Sequence, residues 1–361
     1  VKGGVVMTRI INTICPFCGV GCGINLKLGN NDQLIGVEPE INHPISRGKL
    51  CEKGWSTAFA ISSSKRLTHP LKRINKEFYP ISWSEALTTI GDELQDIIEQ
   101  YGSKAVGVIS SARATNEDNY AAQKFARTVL KTNNIDHCAR ICHSPTVAGL
   151  KKSIGSGAMT NSAKDIFSAD LIVVFGADPT ENHSILGGQI IRAHLQGAQL
   201  IVVDPRVTRL AKLADQHMQL KLGSNVALIN ALLHVIIEEK NYDENFVKAR
   251  CNGFEYLAQH VKDITPESVE ITTGVSSQLI RSVARAYSLA KRAMIFYGMG
   301  ITQYMSGTNN VISLANLALV CGHIGKAGTG LNPLRGQNNV QGACDMGCLP
   351  NVYPGYQNVV D

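Results

Sequence analysis

The chain has 361 residues, of which 44% are hydrophobic, and its 35 basic and 29 acidic residues give a formal net charge of +6. A chain of this length buries roughly two or three cores, since domains commonly contain about 100 to 200 residues, so it is not a small protein held together by disulfides. The charge is mild and no dense block of Lys and Arg is present, which argues against nucleic acid as a partner. No apolar run approaches the roughly 20 residues that span a bilayer, so we predict no membrane span.

The N-terminal leader, Val1 to Arg9, contains neither twin arginines nor a long apolar segment, and Met7 can be the natural first residue. Secretory and twin-arginine signals need those features. The sequence therefore predicts a cytoplasmic protein, unless a longer natural N-terminus carries a signal.

The first chemical motif is a group of cysteines: Cys15, Cys18, Cys22 and, further along, Cys51. Three thiolates close in sequence plus a distant fourth suit the corners of a [4Fe-4S] cube, whereas a structural zinc site usually recruits its ligands as two separate pairs. Glycines beside these cysteines allow the backbone to wrap closely around a cluster. We predict an iron–sulfur cluster that carries electrons; a zinc knuckle is the alternative that this spacing leaves open.

Further elements are predicted in chain order. The alternation in Ile24–Leu28 indicates a small hairpin strand. Ser82 and Glu85 form a capping box that opens a helix with one apolar side, and Gly102 follows its end. The apolar residues of that side are Leu87, Ile90, Leu94 and Ile97. A buried strand over 105–109 and a helix over 116–130 come next, an alternation typical of open α/β sheets.

The second chemical motif is Cys142-His143-Ser144-Pro145-Thr146. Ser144 is a good N-cap and Pro145 suits the first helical position, so Cys142 is predicted just ahead of a helix N-terminus. The partial positive charge of a helix end favours a thiolate, and a neighbouring histidine exchanges protons near neutral pH. Taken alone, such a pair is more often structural than catalytic, so the assignment depends on its context.

Three buried strands are predicted further along, and each ends in a loop suited to a ligand. Leu171–Phe175 leads to Asp178, Leu200–Val203 leads to Asp204, and Ala293–Tyr297 leads to Gly298. In a doubly wound sheet, ligands lie against the loops at the carboxyl ends of the strands. The G-x-G-x-x-G fingerprint is absent after the first of these strands, so bound NAD is not predicted.

Together these motifs resemble those of the catalytic (alpha) subunits of the molybdenum or tungsten bis-pterin oxidoreductases, and among them most closely the formate dehydrogenases. The resemblance rests on the four N-terminal cysteines with Lys53, the stretch from Cys142 to Leu150 and the stretch from Asn332 to Gly347, and it covers essentially the whole chain. It implies an α/β fold in which a small N-terminal [4Fe-4S] domain precedes doubly wound, Rossmann-like α/β domains that bind a pterin dinucleotide.

By this resemblance the reaction is the reversible oxidation of formate to carbon dioxide at a molybdenum or tungsten bis-pterin centre. Cys142 ligates the metal, while His143 and Arg335 flank the reacting formate. Arg335 offers a planar guanidinium matched to a carboxylate, and His143 manages the released proton. Lys53 lies between cluster and pterin and assists electron passage. Electrons leave through the [4Fe-4S] cluster to a partner subunit that carries iron–sulfur clusters or a flavin.

The resemblance also implies a molybdopterin guanine dinucleotide, two of them in a complete protein. Its predicted contacts are mostly acidic, amide and glycine residues of loops, which suit the guanine edge, the ribose and the diphosphate. They are Asp178, Glu181, Asn182, Asp204, Arg206, Gly223, Asn225, Gly298, Met299, Gln303 and Gln337. The remaining cysteines are predicted to be structural: Cys138, Cys251, Cys321, Cys344 and Cys348.

Three domains are implied: a cluster domain over 1–66, a first α/β domain over 67–137 plus 338–361, and a Rossmann-like pterin-dinucleotide domain over 138–337. The first α/β domain is expected to be incomplete, because relatives continue well past the position of Asp361. We therefore expect the chain to be a fragment or to be completed by another polypeptide.

Two rival functions stay open. Formylmethanofuran dehydrogenases share the cysteine, histidine and arginine and reduce carbon dioxide inside a larger complex, but the stretch 333–347 favours formate dehydrogenase. A non-catalytic electron-transfer subunit that lost its metal is the other rival, and the joint presence of Cys142, His143 and Arg335 argues against it. The sequence does not distinguish molybdenum from tungsten, and it does not name the electron acceptor.

Overall fold

The computed structural model describes residues 9–360, so all of the predicted leader except Arg9, including Met7, lies outside the described residues. The chain divides into two compact units. The first unit contains residues 1–140 and 337–361, and the second unit contains residues 141–336. The predicted division into three domains stays a prediction; its cluster domain falls inside the first unit.

The secondary structure of the described residues has the following bounds. The strands are β1 (Arg9–Ile14), β2 (Gly23–Leu28), β3 (Leu34–Pro39), β4 (Leu71–Ile74), β5 (Glu77–Pro80), β6 (Val108–Ile109), β7 (Ile135–Asp136), β8 (Leu171–Phe175), β9 (Gln199–Val203), β10 (Gln216–Met218), β11 (Ala293–Tyr297) and β12 (Gly330–Pro333). The helices are α1 (Glu52–Trp55), α2 (Thr57–Ser62), α3 (Trp83–Tyr101), α4 (Asn116–Lys124), α5 (Ala139–Cys142), α6 (Ser144–Ile154), α7 (Pro179–Asn182), α8 (Ser184–Leu195), α9 (Arg209–Leu213), α10 (Asn225–Glu238), α11 (Glu244–Arg250), α12 (Phe254–Val261), α13 (Pro266–Thr273), α14 (Ser277–Leu289), α15 (Met299–Thr302), α16 (Gly307–Val320) and α17 (Val340–Asp345). Within residues 9–360, no helix is both long enough and apolar enough to cross a membrane.

The second unit is built on a parallel sheet with the strand order β10-β9-β8-β11-β12. Every residue of β8 and β11 is buried, because these central strands have helices on their faces and a strand on each side. Such burial on both faces explains why their sequences are continuous apolar runs rather than alternating ones. The predicted strands at these positions, and the α/β fold class, are confirmed.

Packing against α16 positions α6 in the second unit. A side chain at Gly149 of α6 would place its Cβ only 2.7 Å from Val311 of α16. A glycine is therefore needed where the two helices approach each other. Val311 belongs to the main core cluster together with Leu150, so the middle of α6 is fixed by close packing.

The first unit contains a three-stranded antiparallel sheet, β1-β2-β3, which confirms the predicted strand at 24–28. Helix α3 begins as predicted: the Ser82 side chain accepts a hydrogen bond from the Glu85 amide at 3.1 Å, and Gly102 ends the helix at φ 80. Helix α4 continues in a single π-type segment to residue 129, close to the predicted end.

Two expectations for the first unit differ from the structure. The buried strand predicted over 105–109 is reduced to the two residues of β6, and Ile109 is 91% exposed. In the described part of the chain β6 pairs with β7 alone, so no sheet surrounds it. The apolar side of α3 exists, but Leu87 and Ile90 are 65% and 55% exposed. The apolar pattern of α3 therefore predicted the apolar side of this helix, but it did not show whether other residues bury that side.

Arg127 joins the last residues of the first unit to the segment after α4. Its guanidinium donates hydrogen bonds to the backbone carbonyls of Gly347, Leu349 and Val352 at 2.7–3.0 Å. It also lies 5.1 Å from the ring centroid of Tyr353. One arginine therefore satisfies three carbonyls of a loop that has little regular structure of its own.

Replacing Arg127 with Leu is expected to lower the free energy of unfolding by about 2–4 kcal/mol, because three carbonyls lose a charged donor. The measurement is chemical denaturation together with amide hydrogen exchange, which should accelerate first in residues 347–353. Lys124→Met, a neutral replacement of an exposed cation on the preceding turn, is the matched control. Equal loss of stability in both variants would show that the carbonyl contacts do not matter.

His323 is a buried core histidine of the second unit, only 2% exposed. Its Nε2–H donates to the Tyr287 carbonyl at 3.0 Å, and burial, followed by the charge of Lys326, lowers its pKa below the ordinary value. The unfolded chain therefore binds a proton below about pH 6.5 that the folded chain does not bind. Stability is lost as the pH falls from about 6.5 towards the lowered pKa.

His323→Leu is expected to flatten the fall of stability below pH 6.5, because this histidine alone contributes a slope approaching about 1.4 kcal/mol per pH unit. The variant loses some stability at pH 8, where the Tyr287 carbonyl is left without its donor. The free energy of unfolding measured from pH 8 to pH 4.5 checks this, with the exposed His260→Leu as control. Parallel curves for wild type and His323→Leu would contradict it.

Candidate functional site

The cysteine loop of the first unit is closed by the β1–β2 hairpin. Cys15 follows β1 and Cys22 precedes β2, and the Cys15 amide donates to the Cys22 carbonyl at 2.8 Å. Gly21 has a φ of +64, and a Cβ at Gly23 would lie 2.6 Å from the His43 ring, so both positions require glycine. At Gly21 the backbone conformation, and at Gly23 the lack of space for a side chain, explain why glycines accompany these cysteines.

The thiols of this loop interact electrostatically with one another and with Cys51. Burial, followed by the charges of Cys15, Cys18 and Cys51, raises the pKa of Cys22 to about 12. Burial also raises the pKa values of Cys15 and Cys18. Cys15, Cys18 and Cys22 therefore resist joint ionisation without a compensating positive charge, and the irons of a cluster supply such a charge.

Two cations act on this thiol group. The charge of Lys53, on the helix α1 that begins after Cys51, partly offsets the rise that burial causes in the pKa of Cys15 and Cys18. The guanidinium of Arg113 donates to the carbonyls of Pro16 and Phe17, at 3.3 and 2.5 Å, and its charge partly offsets the raised pKa of Cys18. The sequence did not single out Arg113, because it lies almost 100 residues from the cysteine loop in the chain.

Within residues 9–360, no three or more His, Cys, Asp or Glu side chains are arranged around a single metal ion.

In the second unit, Cys142 ends the short helix α5 immediately before α6. Its side chain is buried, with 4% exposure, and its carbonyl accepts a hydrogen bond from the Thr302 hydroxyl at 2.6 Å. The N-cap of α6 is His143 rather than the predicted Ser144, with Pro145 in the first turn. The cap prediction is therefore wrong by one residue, because the backbone of His143 leaves the helical region one step earlier. Cys142 still lies just ahead of the helix, as predicted.

His143 is fully buried and both ring nitrogens have partners. Nε2 lies 2.9 Å from the Leu334 carbonyl, and Nδ1 lies 3.0 Å from the Thr146 hydroxyl. Burial, and then the charge of Arg335, lower the pKa of His143 to about 4. The imidazole is therefore neutral at neutral pH, and because a carbonyl can only accept, its hydrogen is on Nε2.

Arg335 follows β12 and is held at both its backbone and its side chain. Its carbonyl accepts from His183 Nε2 at 2.6 Å, and its Nη2 donates to the Gly157 carbonyl at 2.6 Å. The side chain is partly buried, and its charge acts on His143. Cys142, His143 and Arg335 thus lie in one unit.

The carboxyl ends of β9, β8 and β11 meet at one edge of the parallel sheet. The buried carboxylates Asp204 and Asp178 follow β9 and β8, and Gly298 follows β11. The Asn225 amide, at the start of α10, reaches the Gly300 carbonyl at 3.5 Å, so that segment belongs to the same edge. Other predicted cofactor residues at this edge present exposed side chains or backbone: Glu181, Asn182, Arg206, Gly223, Met299 and Gln303.

Glycines in these loops have a packing role. A Cβ at Gly300 would lie 2.6 Å from the Cα of Gly176, and one at Gly298 would lie 3.0 Å from the Ala177 side chain. The two loops therefore touch backbone to backbone, which only glycine allows. The contact of the two loops with each other is sufficient to require glycine at both positions.

Gln337, predicted to contact the cofactor, and three cysteines predicted to be structural lie in the first unit. Gln337 accepts a hydrogen bond from the Cys138 thiol, Sγ to Oε1, at 3.2 Å. Cys344 lies 3.3 Å from His137 Nε2, and the buried Cys348 thiol donates to the Asn119 carbonyl at 3.1 Å. These contacts agree with the structural role predicted for the three cysteines.

Comparisons with known proteins agree with this architecture. Residues 8–62 match the Molybdopterin oxidoreductase Fe4S4 domain, and residues 66–359 match the family Molybdopterin oxidoreductase. The chain therefore belongs to the molybdopterin oxidoreductase family, and the predicted resemblance is confirmed. A [4Fe-4S] cluster and a molybdopterin carrying molybdenum or tungsten follow from these two matches.

The chain is similar to named formate dehydrogenases. It is 50% identical over 349 residues to "F420-dependent formate dehydrogenase 1 subunit alpha" of Methanococcus maripaludis, covering 97% of this chain and 51% of that protein. It is 48% identical over 362 residues to "Formate dehydrogenase H" of Escherichia coli, covering 98% of this chain and 50% of that one. The chain thus spans about half the length of these relatives.

Among solved structures, the acetylene hydratase of Pelobacter acetylenicus is similar in fold. The TM-score is 0.73 at 24% identity, covering 86% of this chain and 43% of that chain. At this identity the likeness concerns the fold alone.

The residues present fit both cofactors. Four mutually interacting thiols with two nearby cations match the donor set of an iron–sulfur cluster. The sheet edge with its buried carboxylates and exposed polar side chains matches the place where doubly wound sheets bind nucleotides.

Arg113→Gln is expected to lower the midpoint potential of the cluster, because reduction adds a negative charge that this cation stabilises. An EPR-monitored redox titration of the anaerobic, iron-loaded protein measures the shift. Arg73→Gln, which removes an exposed arginine of β4 in the same unit, is the control. Equal potentials for wild type and Arg113→Gln, at equal iron content, would contradict this role.

Proposed function

We propose that this chain is the part of a formate dehydrogenase alpha subunit that carries the cluster, the metal ligand and the formate-binding arginine. One observation carries the proposal: Cys142, His143 and Arg335 lie in one unit, where His143 bonds to the residue that precedes Arg335. The names of the relatives from Methanococcus maripaludis and Escherichia coli support formate as the substrate.

The reaction converts formate into carbon dioxide, one proton and two electrons, and the reverse reaction uses the same groups. When bound, the metal with its pterins supplies a centre that accepts two electrons. Cys142 is the residue that we assign to hold the metal, since a buried thiol at a helix N-terminus suits a thiolate ligand.

Arg335 is the residue that we assign to formate. A guanidinium matches a carboxylate with two parallel hydrogen bonds, and it carries a fixed charge that offsets the charge of the substrate. The bonds from His183 to its carbonyl and from its Nη2 to Gly157 hold the backbone and restrict the side chain, so that formate is oriented with little further ordering.

His143 faces a restriction in the proton-handling role that the sequence predicts for it. Nε2 already carries a hydrogen, so the ring can take up a proton only at Nδ1, where the Thr146 hydroxyl now lies. The charge of Arg335 further disfavours an imidazolium.

Electron transfer is assigned to the first unit. Cys15, Cys18, Cys22 and Cys51 are the proposed cluster ligands, and the cation of Lys53 lies near their thiols. Electrons then pass to a partner subunit of the iron–sulfur or flavin type. The pterin guanine dinucleotide is proposed to bind at the sheet edge of the second unit through the residues of that unit named above.

Arg335→Lys is expected to raise the KM for formate about 10- to 100-fold, because lysine keeps the charge but loses the paired hydrogen bonds. Cys142→Ala is expected to abolish turnover while leaving the iron content unchanged. The measurement is formate-dependent reduction of a viologen dye by the anaerobically purified natural enzyme, with the chains that accompany it.

Arg285→Lys serves as the control, since Arg285 lies on α14, is paired with Glu239 and is not among the residues assigned to the site. No formate oxidation by a wild-type enzyme loaded with iron and metal would contradict the proposal. Full activity in Cys142→Ala would contradict the assigned metal ligand.

A further inference from the structure

Four hydrogen bonds form a closed ring around His143, which we call the His143 circuit; its members are His143, Thr146, Tyr297 and Leu334. The Tyr297 hydroxyl donates to Thr146 Oγ1 at 3.2 Å, and Thr146 Oγ1 lies 3.0 Å from His143 Nδ1. His143 Nε2 lies 2.9 Å from the Leu334 carbonyl, and the Leu334 amide donates to the Tyr297 carbonyl at 2.8 Å.

All four members are buried, with exposures of 0% for His143, Thr146 and Tyr297 and 4% for Leu334. Water therefore does not compete for these bonds, and each unmade bond leaves a costly buried polar group.

The direction of every bond in the circuit is fixed by its chemistry. The Leu334 carbonyl can only accept, so Nε2 of His143 carries the hydrogen. Thr146 accepts from Tyr297, so its own hydrogen is available for Nδ1, which accepts in the neutral ring. The four bonds are satisfied together by one tautomer of His143.

His323 provides a comparison within the same unit. Its Nε2 also donates to a backbone carbonyl, that of Tyr287, but its buried Nδ1 has no hydrogen-bond partner. A histidine that only fills the core thus leaves one nitrogen unused, whereas His143 has a dedicated hydroxyl on Nδ1 and a second hydroxyl behind it.

The position of the circuit in the chain gives it a consequence for the site. His143 directly follows Cys142, and Leu334 directly precedes Arg335. The bond between the His143 ring and the Leu334 carbonyl therefore ties the segment that ends in the thiol to the segment that carries the guanidinium.

We propose that Thr146 and Tyr297 are positioning residues that hold the orientation of the His143 ring through Nδ1, while the Leu334 carbonyl fixes its Nε2–H tautomer, and that the ring in turn sets Cys142 and Arg335 relative to each other for formate. The second part of this statement rests on the proposed function. His143 then acts as a bridge between the two segments rather than as a group that meets the substrate through a free nitrogen.

The tautomer can be read directly by NMR of the full chain labelled with ¹⁵N-histidine, with His143→Gln used to assign the signal. We expect the wild type to show His143 with a protonated Nε2 and an unprotonated Nδ1. Thr146→Val removes the hydroxyl at nearly constant shape and is expected to shift the Nδ1 signal of His143, which loses its hydrogen bond, while Thr146→Ser restores the wild-type signal. Tyr297→Phe is expected to give a smaller change of the same kind, and the His323 signal should be unaffected in all variants.

Kinetics of the natural enzyme complete the test. We expect kcat for formate to fall about 10- to 100-fold in Thr146→Val, as expected for a small misplacement of reacting groups, and to recover in Thr146→Ser. An unchanged His143 Nδ1 signal in folded Thr146→Val and Tyr297→Phe would overturn the proposal. A shifted Nδ1 signal with a wild type that oxidises no formate would support the circuit and overturn the proposed function instead.

Discussion

The site of the second unit depends on the parallel pairing of β11 with β12. That pairing places Pro333 beside Tyr297, and the next amide, of Leu334, donates to the Tyr297 carbonyl. The sheet thereby fixes where Arg335 leaves it. Close packing of Gly149 in α6 against α16 fixes the other side, which carries His143. The start of α6 and the segment after β12, which are distant in sequence, are thus joined by the hydrogen bond between the His143 ring and the Leu334 carbonyl.

Much of the fold could be predicted because its strongest signals are local. Leu171–Phe175 and Ala293–Tyr297 are continuous apolar runs between loops, as is typical of strands covered on both faces. The strand expected over 105–109 had a similar pattern but lacked a surrounding sheet, and its exposure could not be seen from sequence. Local composition indicates an apolar face, whereas tertiary contacts decide what that face meets.

The site was only partly predictable for a related reason. The chemistry-bearing residues Cys142 and Arg335 stood out through their motifs, but the residues that support them act over long distances in the chain. Tyr297 reaches Thr146 across 151 positions, and no local pattern reports such a contact. Thr146 had a detectable signal, since a hydroxyl three residues after a histidine at a helix start is within reach of its ring. The two cations near the thiols of the cysteine loop differ in the same way. Lys53 could be found from sequence because it lies two residues after Cys51, whereas Arg113 comes from a loop that is remote in the chain.

The central claim is that Cys142 is a ligand of the metal, held beside the hydrogen-bonded ring of His143. X-ray absorption at the molybdenum or tungsten edge of the purified enzyme tests it most directly, by comparing the wild type with Cys142→Ser. In Cys142→Ser we expect one sulfur neighbour of the metal to be replaced by a lighter oxygen atom, at unchanged metal and iron content. An identical spectrum for the two proteins would contradict it.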